Sequence, residues 1–140
     1  MLEYPAKIKY NKNDDVFEVS FSDVKGCYTY GKTLEEAQKF AKEALTGWLE
    51  VAFEENMKIP VASKVTGRDV YYISPEPNVA FAILLRRERE EKRLSQKQIA
   101  EKLSVSYQAY QRLENPRRAN PSLKTISKLE KILEKSLVHI

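Results

Sequence analysis

Apolar and polar positions alternate from the first residues of the chain. Leu2, Tyr4, Ala6, Ile8 and Tyr10 are apolar or aromatic, and Glu3, Lys7, Lys9 and Asn11 fall between them. A period of two puts one set on each face of a strand. Asn11-Lys12-Asn13-Asp14-Asp15 predicts a turn, because Asn and Asp bond to their own backbone and tolerate its left-handed form. Alternation resumes with Phe17, Val19 and Phe21 inward and Glu18 and Ser20 outward. After a connection from Ser22 to Gly26, Cys27 to Tyr30 is a short third strand of strand-favouring types. Short connections predict an antiparallel meander.

The period then changes to that of a helix. Thr33-Leu34-Glu35-Glu36 fits a capping box, with Thr33 bonding the third helical amide and Glu36 reaching back to the cap amide. Leu34, Ala37, Ala41, Leu45, Trp48 and Ala52 recur every three or four residues, so the helix runs to about Glu55 and lays that stripe, Trp48 included, on the sheet. A polar connection from Asn56 to Asp69 leads to a fourth strand, Val70-Tyr71-Tyr72-Ile73, ended by Pro75 and Pro77. The expected order is β-β-β-α-β, an α+β domain over residues 1–77.

Strand alternation is lost in residues 78–140. Ala80 to Lys92 predicts a helix with Phe81 and Leu85 inward. Ser95 caps a second helix, Gln96 to Leu103, and Ser106 a third, Tyr107 to Glu114. Ser122 caps a fourth, with Leu123, Ile126, Leu129 and Leu133 as its apolar face. This half is expected to be an all-α domain.

Charge separates the same halves. Residues 1–77 hold 10 Lys and Arg against 13 Asp and Glu, a net of −3, whereas residues 78–140 hold 14 against 7, a net of +7. The basic half is therefore the candidate for nucleic acid. No apolar run approaches the roughly 18 residues of a membrane span, and the N-terminus lacks the pattern of a secretory signal. Cys27 is the single cysteine and His139 the single histidine, too few for a structural zinc site or a disulfide framework, and one cysteine fits a cytoplasmic protein. Cys27 reads as a small core or sheet-face residue and His139 as an ordinary residue near the chain end. No cofactor or metal is expected.

Residues 95–115 have the spacing of a helix-turn-helix. Two short helices must cross closely, so Ala100 is small where the next helix passes, and Ile99, Leu103, Val105, Tyr110 and Leu113 supply the apolar wedge. The capped start of the second of these helices would present Ser106, Tyr107, Gln108, Gln111 and Arg112 to base edges in a major groove. Arg117 and Arg118 directly follow it and suit phosphate. From Phe81 to Lys135 the chain resembles the phage-repressor (XRE) type of helix-turn-helix. That resemblance implies phosphate contacts from Gln96 and Asn115 and an ion pair between Arg89 and Glu114. Two positions depart from the pattern: Ser104 stands where the turn usually has Gly, and Tyr110 exceeds the usual aliphatic residue.

The front half resembles the HicB antitoxin family in Tyr4-Pro5-Ala6, in Phe21-Ser22-Asp23-Val24 with Gly26-Cys27, in Gly31-Lys32-Thr33-Leu34-Glu35-Glu36-Ala37 and in Ile59-Pro60-Val61-Ala62-Ser63. The resemblance implies a partial ribonuclease-H-like domain joined to a DNA-binding domain. It implies an antitoxin, not an enzyme, that inhibits a small basic HicA-like RNA-cleaving toxin and represses its own operon as a homodimer or higher oligomer. Asp14, Asp15, Glu18 and Asp23 are the acidic candidates for toxin contact; two of them sit in a turn and Glu18 points away from the inner face, which disfavours a catalytic metal cluster. A stand-alone transcription regulator with a ligand-sensing front domain is the alternative. An RNA-binding sheet is disfavoured by the negative front half.

Overall fold

The computed structural model describes residues 2–138, so His139 lies outside the described residues. It divides into two compact units, Leu2–Glu76 and a second that begins at Pro77.

The front unit contains strands β1 (Tyr4–Asn11), β2 (Val16–Phe21), β3 (Tyr28–Gly31) and β4 (Val70–Ile73), with helix α1 (Leu34–Glu54) between β3 and β4. The sheet order is β3-β2-β1-β4 with every pairing antiparallel. Alternation sets the register: Ala6 faces Phe21 and Ile8 faces Val19 across β1 and β2, all four buried. Helix α1 lies against all four strands and buries Ala37, Ala41, Leu45, Leu49 and Ala52.

Several sequence expectations are corrected. Trp48 is only half-buried, since Leu49 occupies the core row, and its indole N–H donates to the Lys25 carbonyl at 3.0 Å. A tryptophan with one polar edge suits a border where that N–H finds an acceptor. Tyr10 shares the face of Ala6 and Ile8 but is exposed at the far end of β1, where it packs on Phe17 and donates its hydroxyl to Asp15. Cys27 precedes β3 and is buried. Thr33 accepts from the Glu36 amide as expected, but the Glu36 carboxylate bonds the Lys32 amide, one residue short of the cap.

Gly31 explains the Gly-Lys-Thr stretch. A Cβ there would lie 2.4 Å from the Ala37 nitrogen, because the first turn of α1 passes directly over the end of β3. Only glycine allows that approach. The connection from Asn56 to Asp69 is pinned at three points. Tyr4 Oη donates to the Pro60 carbonyl, Asp23 accepts from both the amide and hydroxyl of Ser63, and Tyr72 Oη bonds both the amide and carbonyl of Val65.

The second unit contains α2 (Pro77–Glu91), α3 (Gln96–Leu103), α4 (Tyr107–Leu113) and α5 (Leu123–Leu133), with no strand among the described residues. Pro77 starts α2 rather than ending the front half, since the first helical turn tolerates a residue without an N–H. Phe81, Leu85, Ile99, Leu103, Tyr110 and Leu129 belong to its core. The α5 stripe overruns that core by one turn, leaving Leu123 at the helix start 78% exposed.

Candidate functional sites

Helices α3 and α4 are defined by their caps. Ser95 and Gln98 form a reciprocal capping box, each side chain bonding the other's backbone amide. Ser106 caps α4 through the Ala109 amide at 3.1 Å. Between the helices Ser104 is left-handed, with φ 59 and ψ 43, the conformation in which the turn usually carries glycine. The chain reverses there and Val105 N–H donates to the Ala100 carbonyl at 3.0 Å. Ala100 is buried, as close helix crossing requires, but Val105 is 38% exposed and is not part of the wedge. It directly follows the left-handed residue, and the core is closed by Ile99, Leu103 and Tyr110 without it.

This frame leaves Gln108, Gln111 and Arg112 of α4 exposed and Tyr107 half-buried. Lys97, a residue not singled out from the sequence, holds its ammonium 5.4 Å from the Tyr107 ring centroid. Such a cation–π contact fixes the Tyr107 ring where α3 meets the start of α4.

A buried ion pair anchors the other end of α4. Glu114 is the C-cap residue of α4 and is 2% exposed. Arg89 of α2 reaches it through Nε at 2.6 Å and Nη2 at 3.1 Å, and donates Nη1 to the Leu94 carbonyl at 2.8 Å. Hydrogen bonding to Glu114 holds the Arg89 guanidinium further above its ordinary range. The Gln96 amide also donates to Glu114, at 3.1 Å, so one carboxylate ties α2, α3 and α4 together. Tyr110 is fully buried beside this group, and its hydroxyl makes no hydrogen bond of normal geometry. Burial first, and the Glu114 charge second, push its phenol well above the usual range.

The loop after α4 is also ordered from within. Asn115 accepts the Arg117 amide on its side chain at 3.0 Å, while its carbonyl accepts the Arg118 and Ala119 amides. Arg117 and Arg118 are both exposed. Ser106, Gln96 and Asn115 thus build the frame through their side chains, while Gln108, Gln111, Arg112 and the arginine pair project from it.

In the front unit the four acidic candidates are dispersed. Asp15 takes a left-handed backbone and accepts from Tyr10, and Asn11 bonds both Asp14 and Glu18 across the β1–β2 turn. Asp23 is committed to Ser63. Asp14 and Glu18 border a concave outer face that also carries Lys7, Lys9, Tyr28 and Tyr30. No group of three or more potential metal ligands occurs among the described residues, and no described helix is long and apolar enough to cross a membrane.

An acidic α+β unit followed by a basic helical unit with a capped, tightly crossed helix pair defines a class of two-part protein. Comparison with known proteins places it more narrowly. Residues 4–127 match the family model of the HicB-like antitoxin of bacterial toxin–antitoxin systems. Antitoxin HicB 1 of Photorhabdus laumondii is 32% identical over 80% of this chain and 70% of its own length. Antitoxin HicB of Escherichia coli K12 is 31% identical over 71% of each. The crystal structure of Burkholderia pseudomallei antitoxin HicB overlays 53% of this chain and 63% of that one, with a TM-score of 0.47 and 24% identity. The chain belongs to the HicB-like antitoxin family.

Proposed function

We propose that the chain is the antitoxin of a type II pair, acting through two surfaces. The front unit, Leu2–Glu76, covers the RNA site of a small basic HicA-like mRNA-cleaving toxin, and inhibition is steric, with no catalytic residue. The rear unit, which begins at Pro77, is a helix-turn-helix domain that represses the chain's own operon by sequence-specific DNA binding.

The observation that carries the DNA reading is the rigid presentation of Gln108, Gln111 and Arg112 by α4. Gln can pair bidentately with adenine and Arg with guanine in a major groove. Arg117 and Arg118 then grip phosphate. One such helix reads only a few base pairs, so a dimer would place two of them on half-sites about 34 Å apart.

The test separates readout from grip. Arg112→Ala is expected to weaken the preferred operator by about 1–3 kcal/mol and to relax base preference there. Arg118→Ala is expected to weaken all sequences about equally and to flatten the salt dependence. Binding titrations on the chain's own upstream palindrome and a scrambled duplex distinguish the two. Identical effects from both variants would refute this placement of α4. Co-expression with the small basic protein encoded next to this chain tests the toxin arm: growth is restored if the antitoxin reading holds. A free toxin would favour a ligand-sensing regulator.

A further inference from the structure

Sheet order leaves β3 at one end, and among the described residues no strand pairs with its outer edge. An unpaired edge presents alternate N–H and C=O groups to whatever strand arrives. This edge carries none of the usual protections except its short length: it contains no Lys, no Pro and no inward charge. Tyr28 and Tyr30 stand on it 71% and 63% exposed.

The helix side of the same edge is also unfilled. Cys27, Ala44, Gly47, Trp48, Val51 and Met57 line a groove between α1 and the start of β3, with Val51 48% and Met57 49% exposed. A Cβ at Gly47 would meet nothing within 4 Å. Tyr28 borders both this groove and the outer face of the sheet. A free edge beside an uncovered apolar helix surface is what a sheet-and-helix layer presents when the next strand and its helix are missing.

Charge identifies the occupant. Glu43, Glu50 and Glu54 share the Gly47 face of α1 at helical spacing, and Glu43 lines the groove itself. A second copy docked about a two-fold axis would bring this acidic face onto itself. A basic partner is instead attracted to it. The outer face of the sheet offers a poorer match, because exposed Lys7 and Lys9 project there.

We propose that the basic toxin docks on the β3 edge, adding a strand to Tyr28–Gly31 and seating an apolar side chain in the Gly47 groove beneath the α1 glutamates. This surface rests on the antitoxin reading above and centres it on the β3 edge and a groove that none of Asp14, Asp15, Glu18 and Asp23 lines. Tyr28, which borders the groove, supplies an aromatic anchor of the kind that dominates such interfaces, and main-chain pairing supplies the register.

The full chain is tested against the purified small basic protein encoded by the adjacent reading frame. Gly47→Arg fills the groove and opposes a basic partner, while its open surroundings leave the fold intact, as an unchanged thermal midpoint would verify. Its affinity for the partner is expected to fall about thirtyfold or more, the scale of a lost hot spot. Val51→Lys is expected to act in the same direction, and Lys9→Ala, on the outer face two strands from β3, to change affinity little. In the wild-type complex, hydrogen exchange at the Tyr28–Gly31 amides is expected to slow. Undiminished binding by Gly47→Arg, or protection confined to the outer face, overturns this surface while leaving the antitoxin reading standing. A wild-type chain that does not bind the partner overturns both.

Discussion

Removing Arg89 from the buried pair is expected to unfold the rear unit before it affects anything else. Glu114 is 2% exposed on its side chain and Arg89 12%, so Arg89→Ala strands a carboxylate that water cannot reach without opening the helices. Breaking such a pair from one side costs about 3–5 kcal/mol. The Gln96 amide remains on Glu114 and softens the loss, whereas the vanished bond to the Leu94 carbonyl adds about 1 kcal/mol. The two corrections nearly offset, and about 4 kcal/mol is the expected loss. A unit of roughly 60 residues is stable by only about 3–9 kcal/mol, so most of its margin goes. Urea unfolding followed by far-ultraviolet circular dichroism should show the rear transition moving to low denaturant while the front transition stays. Arg89→Met combined with Glu114→Leu removes both charges together and should recover much of the loss, and the double-mutant cycle gives the coupling. Operator binding should fall only in proportion to the unfolded fraction. A loss below about 1 kcal/mol from Arg89→Ala would refute the assignment of Glu114 as the buried anchor.

Three further outcomes follow from local geometry. Ser104→Gly relieves a left-handed residue at φ 59 and should raise rear-unit stability by about 0.5–1 kcal/mol, read as a higher urea midpoint. Gly31→Ala drives a Cβ to 2.4 Å from the Ala37 backbone, so the front unit should lose its cooperative transition or melt well below the wild type, with the rear transition unchanged. Burial raises the Cys27 thiol from 9.0 to about 11, so the folded state holds a proton that the unfolded chain has released. Stability from this group is complete below pH 9 and is lost as pH rises toward 11, and titration by thiolate absorbance should show ionisation delayed until unfolding.

Local signals carried most of the element boundaries. The Ser95 and Ser106 caps mark the starts of α3 and α4, and the alternation through Tyr4, Ala6 and Ile8 marks the inner face of β1. Misplaced residues lie at the ends of patterns: Tyr10 at the end of β1, Leu123 at the start of α5 and Val105 beside the turn. Periodicity reports which face a residue occupies but not how far the covering layer extends. Trp48 and Leu49 are neighbours, and only packing decides which enters the core. Long-range commitments were equally hidden: Asp23 to Ser63, Tyr72 to Val65 and Gln96 to Glu114 each need the fold before the partners meet. The open β3 edge was invisible for the same reason, since a strand becomes an edge only through the sheet order. By contrast the exposed side of α4 follows from the spacing of Gln108, Gln111 and Arg112 alone.

A total charge of +4 describes neither unit. Fields of exposed charges decay over about 8 Å at physiological ionic strength, so an approaching partner responds to the patch it faces and not to the sum. A front unit at −3 with glutamates along α1 and a rear unit at +7 with arginines after α4 therefore present opposite potentials from one chain. The proposed tasks demand that opposition, since a toxin that grips RNA and the phosphates of an operator carry charges of opposite sign. Each unit also has buried apolar residues of its own, and Gly31 and the Arg89–Glu114 pair each hold together elements of one unit only. Substitutions at these positions thus discriminate between the tasks more sharply than truncation would, because the untouched unit remains present as its own control.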